Sequence, residues 1–290
     1  MKSILNNGIL IKNLELKNIT SFRTGGNAKY YFIPDSKETL VKLLQSTKYK
    51  IYIIGNATNL LVSDAGFDGI LVNLKGFTNY ICRKKNFIIA GASVSLNTLI
   101  ESAIEYELKG LEKLSGIPGT VGGAIYMNAG AFGKVIGDVV EYVKVLSFKG
   151  KEKIFYKDQI EFLYRKSIPI NKYIILEACF KLYRGKKKEI LKTQKEILKR
   201  RAQKQPLEYP SAGSIFKRPE KGYAGELIEK AGLKGFKIGG AMVSEKHANF
   251  IINTGTANSK DIYDLIKEIQ TRVYKKFKIK LQPEIKFLGF

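Results

Sequence analysis

Between Ser115 and Gly133 the chain places six glycines and no charged side chain, within a sequence in which 26% of residues are charged. Glycine has no Cβ, so such a stretch adopts backbone conformations closed to other residues and lets main-chain N–H groups approach a ligand. Gly116, Gly119, Gly122 and Gly123 are spaced Gly-x-x-Gly-x-x-Gly-Gly. That pattern is neither the Rossmann turn nor a P-loop, and no Gly-Lys-Ser/Thr lies nearby. A packed turn and helix start without a ligand accounts for one such loop equally well.

The bulk numbers narrow the classes. With 290 residues, 44% of them hydrophobic, the chain can bury one large or two ordinary cores. No apolar run nears the roughly 20 residues of a membrane span, and the start Met1–Asn7 lacks a leader's apolar core, so a cytoplasmic location is expected. Two cysteines, Cys82 and Cys179, are too few for a disulfide framework. With His247 the sole histidine, no zinc constellation assembles and no metal is expected. The net charge of +24 would attract nucleic acid, acidic lipid or phosphorylated small molecules. It is spread along the chain as lysine, with short clusters only at Lys186–Lys188 and Lys199–Arg201 and no nucleic-acid-binding signature, so neither a nucleic-acid nor a membrane partner is expected.

Hydrophobic periodicity predicts an α/β texture at the front. Strands at Tyr30–Ile33, Ile51–Ile54, Ile70–Val72 and Phe87–Ile89 accompany a helix bearing Leu40, Val41, Leu43 and Leu44. Leu96, Leu99, Ile100, Ala103 and Ile104 mark a second helix, with Gly110 read as its stop. Strands follow at Tyr142–Phe148, Lys153–Tyr156 and Tyr173–Tyr183. A charged helical stretch from about Lys186 to Lys204 is read as the connector to a smaller C-terminal domain. That domain closes with an amphipathic helix (Ile262, Leu265, Ile266, Ile269, Val273, Phe277) and a strand after Pro283. The division expected is 1–200, with subdomains of about 1–75 and 76–200, followed by 201–290.

Four segments could carry chemistry. Gly55–Val62 follows a strand, where backbone N–H groups with Thr58 and Asn59 could hold a pyrophosphate; an ordinary Asn/Gly turn is the default. Ser214 sits after Ala212-Gly213 between prolines, and turn hydrogen bonding is its commonest fate. A hydrolase triad built on Ser214 and His247 is disfavoured, because no acidic orienter is fixed by the sequence. Arg165, beside Tyr164 and before Ile168-Pro169, is placed to clamp a carboxylate or simply to face solvent. Glu284 follows the proline that opens the last strand, where a surface carboxylate is the plain reading.

Taken in order, these motifs resemble one family. They are Thr20–Gly26, Gly55–Val62, Ser115–Gly133, Tyr164–Ser167, Ser211–Pro219, Gly239–Ala241 with Ser244–Ala248, and Gln282–Glu284. The chain is similar to the UDP-N-acetylenolpyruvoylglucosamine reductases over almost everything from Thr20 to Phe287, and its short spacing between Tyr164 and Ser214 resembles their shorter subgroup. The resemblance implies an α+β fold: an FAD-binding module of the vanillyl-alcohol-oxidase type, built from two α/β subdomains, and a smaller C-terminal α/β substrate-binding domain. It implies FAD as cofactor, NADPH as hydride donor, a UDP-sugar as substrate, a role in peptidoglycan precursor synthesis and a monomer.

Residue by residue, the resemblance assigns Ser214 as proton donor, with Arg165 and Glu284 stabilising the intermediate. FAD would be held by Arg23 and Thr24, by Gly55, Asn56, Ala57, Thr58, Asn59 and Leu60, and by Ser115, Gly116, Ile117, Pro118, Gly119, Gly122, Gly123 and Ala124, together with Asn128, Gly130 and Ala131. Substrate would meet Tyr164, Lys204, Lys217 and Arg218, with Arg201 a further candidate for the diphosphate. Ala57 and Thr58 stand where the family commonly has Gly and Ser, and Asn249 where Gly is usual. His247 receives no catalytic role. The rival readings are another flavin oxidase of the same fold and, from a different class, a nucleic-acid-binding protein without catalysis.

Overall fold

Alternating apolar residues in Val140–Leu146, Ile174–Lys181 and Phe87–Gly91 build the central element of a computed structural model that describes residues 7–290. The leader-free start read at Met1–Asn6 lies outside the described residues. These three strands form the middle of a five-stranded antiparallel sheet, edged by Glu152–Tyr156 and Ile81–Lys84. The register pairs Val143 with Ala178 and Ala178 with Ala90, so these side chains share one face. That face, with Ile88, Val145 and Phe180, is fully buried.

The chain divides into two compact units. The first comprises residues up to Ile11, Tyr30–Gly55 and Gly69–Arg200; the second comprises Lys12–Lys29, Asn56–Asp68 and Arg201–Phe290. A linear cut at 200/201 matches only the last of these boundaries and leaves two N-terminal stretches of the second unit with the first.

In the first unit, α1 (Lys37–Ser46) starts at Ser36, whose side chain accepts from the Thr39 N–H at 3.2 Å. A cap of this kind is worth about 1 kcal/mol. Leu40 and Leu43 then bury against Phe32, Ile70 and Val72 of a four-stranded sheet, in which Lys50–Ile53 runs parallel to Phe67–Val72. Helix α2 (Leu96–Glu105) buries the five residues singled out by periodicity, Leu96, Leu99, Ile100, Ala103 and Ile104, the larger side chains contributing roughly 1.5–3 kcal/mol each. It ends well before Gly110: Glu107 takes the left-handed conformation (φ 56°) and a two-residue strand, Leu108–Lys109, intervenes. The short α3 (Val121–Tyr126) and the long α4 (Lys187–Lys204) follow.

In the second unit, α5 (Ala224–Lys230) and α6 (Ser259–Phe277) pack with a three-stranded antiparallel sheet of Lys237–Ile238, Ala241–Val243 and Ile251–Asn253. Ile262, Leu265, Ile266, Ile269 and Val273 form the buried face of α6, as expected; Phe277 is only partly buried. Two N-terminal segments complete this unit. Phe22 and Leu61 enter its core, Leu60–Val62 pairs in parallel with Lys286–Leu288, and the Asp64 carboxylate accepts from the Ser259 and Lys260 N–H groups at 2.9 and 3.0 Å. Asp64 thereby satisfies two of the orphan donors that open a helix.

Cys82 and Cys179 both face Ile89, from the strands on either side. Two strand spacings, about 10 Å, separate them, which is too far for a disulfide. Among the described residues no group of His, Cys, Asp and Glu could hold a metal, and no helix is long and apolar enough to cross a membrane.

Candidate functional site

The glycine-rich segment of the first unit proves to be two things at once. Part of its glycine content serves packing: a Cβ on Gly122 would lie 3.1 Å from the Ala92 carbonyl oxygen and one on Gly130 2.6 Å from Val135 Cγ1; from outside the segment, a Cβ on Gly55 would lie 2.6 Å from Thr120 Oγ1. The same contacts appear as hydrogen bonds that stitch the segment to the Ala92–Leu96 turn, Gly122 N–H to Ala92 O at 2.8 Å and Val121 N–H to Val94 O at 2.8 Å. The other part suits a ligand. Gly116 and Gly119 hold left-handed conformations (φ 78° and 131°), and between Leu114 and Gly116 the Ser115 hydroxyl is buried with no hydrogen-bond partner among the described residues. Thr120 caps α3, accepting from Gly123 N–H at 3.2 Å. A Cβ on Gly123 would touch only that hydroxyl.

Beyond α3, Asn128 is buried and left-handed (φ 42°). Its amide nitrogen donates to Leu163 O at 2.9 Å and its Oδ1 accepts from Gly137 N–H at 3.2 Å, so its side chain is engaged inside the unit. The bond to Leu163 anchors the base of a hairpin whose strands, Glu161–Leu163 and Lys166–Ile168, are joined by Tyr164 and Arg165 alone. Arg165 sits at that tip with φ 57°, its guanidinium 5.2 Å from the Tyr164 ring and donating a long 3.5 Å bond to Gly130 O. Ser167 ties the returning strand to Ile125 O at 2.6 Å. Gly130 and Ala131 themselves belong to a small hairpin with Lys134–Val135.

In the second unit the Thr20–Gly26 turn is closed by Thr20 Oγ1, which donates to Thr24 O at 2.8 Å; Arg23 is left-handed within it and Thr24 Oγ1 is buried without a hydrogen-bond partner among the described residues. Ala57 also holds φ 51°, a region that favours glycine and costs other residues roughly 1–2 kcal/mol. Its carbonyl receives the Ser21 N–H at 3.4 Å. Asn59 donates its side-chain amide to Glu284 O at 3.3 Å and accepts Lys286 N–H on its backbone oxygen at 3.0 Å. Leu60 is a core residue.

Ser214 opens a short extended run held on both sides. It bridges Phe250; Ile215 N–H donates to Asn249 O at 2.8 Å, Glu284 N–H to Ile215 O at 2.7 Å and Lys217 N–H to Gln282 O at 2.9 Å. Ser214 and Glu284, 70 positions apart in sequence, are thereby set on one small backbone network, each half-buried. Lys217 is half-buried, Lys204 and Arg218 are exposed, and Arg218 lies 4.4 Å over the Tyr223 ring. Arg201 is buried, donates to Gln205 at 3.4 Å, and its pKa is lowered by desolvation. His247 packs on Phe250 and accepts the Asn249 N–H on Nδ1 at 3.2 Å. Burial pulls its pKa below 6.5, which favours the neutral ring this bond requires.

Sequence reasoning passed over Asp64, the Asn59 link to Glu284, and the Asn249 side chain. The available signal was asparagine inside a β-rich stretch, Asn249 to Asn253, since Asn is depleted in strands unless its amide is used.

A buried hydroxyl without a partner among the described residues, such as that of Ser115, costs roughly 1–3 kcal/mol unless a ligand supplies the missing bond; with the left-handed Gly116 and Gly119 beside it, Ser115 fits a polar cofactor. Residues 28–154 match the family described as FAD binding domain. The class is that of an FAD-dependent oxidoreductase of α+β architecture. Residues 205–288 match the UDP-N-acetylenolpyruvoylglucosamine reductase C-terminal domain. The chain is 48% identical to the enzyme of that name from Caldanaerobacter subterraneus subsp. tengcongensis, covering 100% of this chain and 97% of that one. It is 40% identical to the one from Lachnoclostridium phytofermentans, with coverage of 100% and 96%. Its fold superposes on the crystal structure of the reductase from Thermus caldophilus with a TM-score of 0.84 at 34% identity, over 97% and 99% of the two chains. This chain belongs to the UDP-N-acetylenolpyruvoylglucosamine reductase family.

Proposed function

We propose that the protein reduces the enolpyruvyl ether of UDP-N-acetylglucosamine to UDP-N-acetylmuramate, with NADPH as the hydride donor, in the cytoplasmic synthesis of peptidoglycan precursors. The observation that carries this reading is the shared backbone network that fixes Ser214 and Glu284, in a chain matched end to end by reductases of that name. FAD, when bound, supplies the hydride for the β-carbon of the enolpyruvyl group. Residues 1–200 serve as the FAD-binding domain, through Arg23, Thr24, the Gly55–Leu60 loop and the Ser115–Ala131 segment. Residues 201–290 serve as the substrate-binding domain.

The chain's own residues manage the charge that follows. Hydride addition leaves an enolate-like carboxylate basic enough to take a proton from the Ser214 hydroxyl, and a positioned general acid is worth typically about 10²–10⁴-fold. Arg165 stabilises the developing negative charge, where one preorganised donor is worth roughly 3 kcal/mol. Glu284 acts in its protonated form or through a hydrogen bond, because a bare carboxylate would repel the enolate. Tyr164, Lys204, Lys217 and Arg218 contact the substrate, and the basic excess suits ligands that are all anionic.

Anaerobic half-reactions test this. NADPH is expected to bleach the flavin, and UDP-linked enolpyruvate to restore its colour. Reoxidation by oxygen alone, with no response to the enolpyruvyl substrate, would instead mark an oxidase of the same fold.

A further inference from the structure

We propose that Asn249 is a positioning residue for Ser214. The inference rests on Ser214 being the proton donor. Asn249 is buried, and its side-chain amide behaves as an extra peptide unit: Nδ2 donates to Phe216 O at 2.9 Å while Oδ1 accepts from Phe216 N–H at 3.0 Å. Its backbone oxygen receives Ile215 N–H at 2.8 Å, and its backbone N–H is fixed by His247 Nδ1 at 3.2 Å. One residue therefore holds both Ile215 and Phe216, the two positions that follow Ser214. On the far side the same two residues engage the Glu284 segment, through Ile215 O to Glu284 N–H and the Phe216–Pro283 bridge.

Upstream, Gly213 is left-handed at φ 74°, Ala212 is buried in the core of the unit and Pro210 O accepts the Asn253 N–H at 3.0 Å. Immediately after the serine, Asn249 supplies three of the hydrogen bonds that hold the run. A general acid must lie within hydrogen-bond reach of the atom it protonates, and a displacement of about 1 Å can cost 10²-fold.

The test uses the FAD-loaded protein. Asn249→Ala deletes both side-chain bonds; Asn249→Asp keeps the acceptor for Phe216 N–H but sets a carboxylate oxygen against Phe216 O. For both variants, flavin content and NADPH-driven bleaching are expected to stay within about twofold, while reoxidation by the enolpyruvyl substrate slows about 10- to 100-fold with little change in KM. In a Ser214→Ala background, Asn249→Ala should add less than about twofold, because the group it positions is gone. An equal cost in both backgrounds would show that Asn249 acts elsewhere, and reoxidation within twofold of the parent would overturn the proposal. If neither variant accumulates as folded yellow protein, Asn249 holds the fold and not the serine, which also overturns it. Failure of the underlying reading looks different: Ser214→Ala alone would then leave reoxidation unchanged.

Discussion

Arg165 and Ser214 are placed by opposite means. Arg165 rides the two-residue tip of a local hairpin, with a long bond to Gly130 O and a base anchored by Asn128. Ser214 stands at the head of a run secured by segments more than 30 positions away on one side and nearly 70 on the other. A hairpin tip is placed by its own two adjoining strands; a run wedged between two distant segments moves only if both move. The division suits the two proposed tasks. A guanidinium stabilises charge over a range of geometries through its fork of donors, whereas proton delivery needs the hydroxyl within hydrogen-bond reach of its target.

The largest effect expected is at the rigid end. Ser214→Ala should slow substrate-driven flavin reoxidation by about 10²–10⁴-fold and leave NADPH-driven bleaching nearly intact, read by anaerobic stopped-flow absorbance. Equal losses in both halves would mean that Ser214 shapes the site without donating a proton. Arg165→Ala should cost about 10²–10³-fold in the same half-reaction, and Arg165→Lys should recover part of it, because a lysine at the hairpin tip keeps the positive charge. A lysine variant as slow as alanine would show the tip to be as constrained as the Ser214 run.

Asn128→Ala leaves Leu163 O and Gly137 N–H without their partner, at roughly 1–3 kcal/mol. Hydrogen exchange should quicken in residues 161–168 and stay unchanged in 214–217. Quickening in both stretches would contradict their independence. The smallest effect concerns His247. Its pKa is lowered in the folded state by burial, so as pH falls the unfolded chain takes up the proton first. The stability from the neutral ring is complete above 6.5 and is lost as pH drops from there through the lowered folded value. Replacing His247 with Gln should flatten the acid-side fall in Tm below pH 6.5, whereas an unchanged slope would deny that the ring is held neutral.

The sequence made α1, α2, α4, α6 and four strands of the five-stranded sheet legible because their signals are local: Leu96 to Ile104 and Ile262 to Val273 repeat with the period of a helix, and the structure buries those faces; the short α5 and the edge strand Ile81–Lys84 carried too weak a pattern to be read. It also brought forward the glycine segment and Ser214. What it could not disclose were pairings between distant segments, such as Leu60–Val62 with Lys286–Leu288 or Asp64 with the start of α6, since no periodicity records them. Gly110 misled as a helix stop because Glu107 had already supplied the left-handed residue. Glycine content alone also merged two causes: Gly122 and Gly130 are small because neighbouring backbone and side chains leave no room, while Gly116 and Gly119 are glycine for conformation.

The chain passes between its two compact units at 11/12, 29/30, 55/56, 68/69 and 200/201. A gene truncated at codon 200 would therefore release neither half intact. The 201–290 fragment would lack Phe22 and Leu61 from its interior, the partner strand for Lys286–Leu288 and the acid that caps its longest helix. Moving residues 201–290 into another chain would have to carry residues 12–29 and 56–68 along with them.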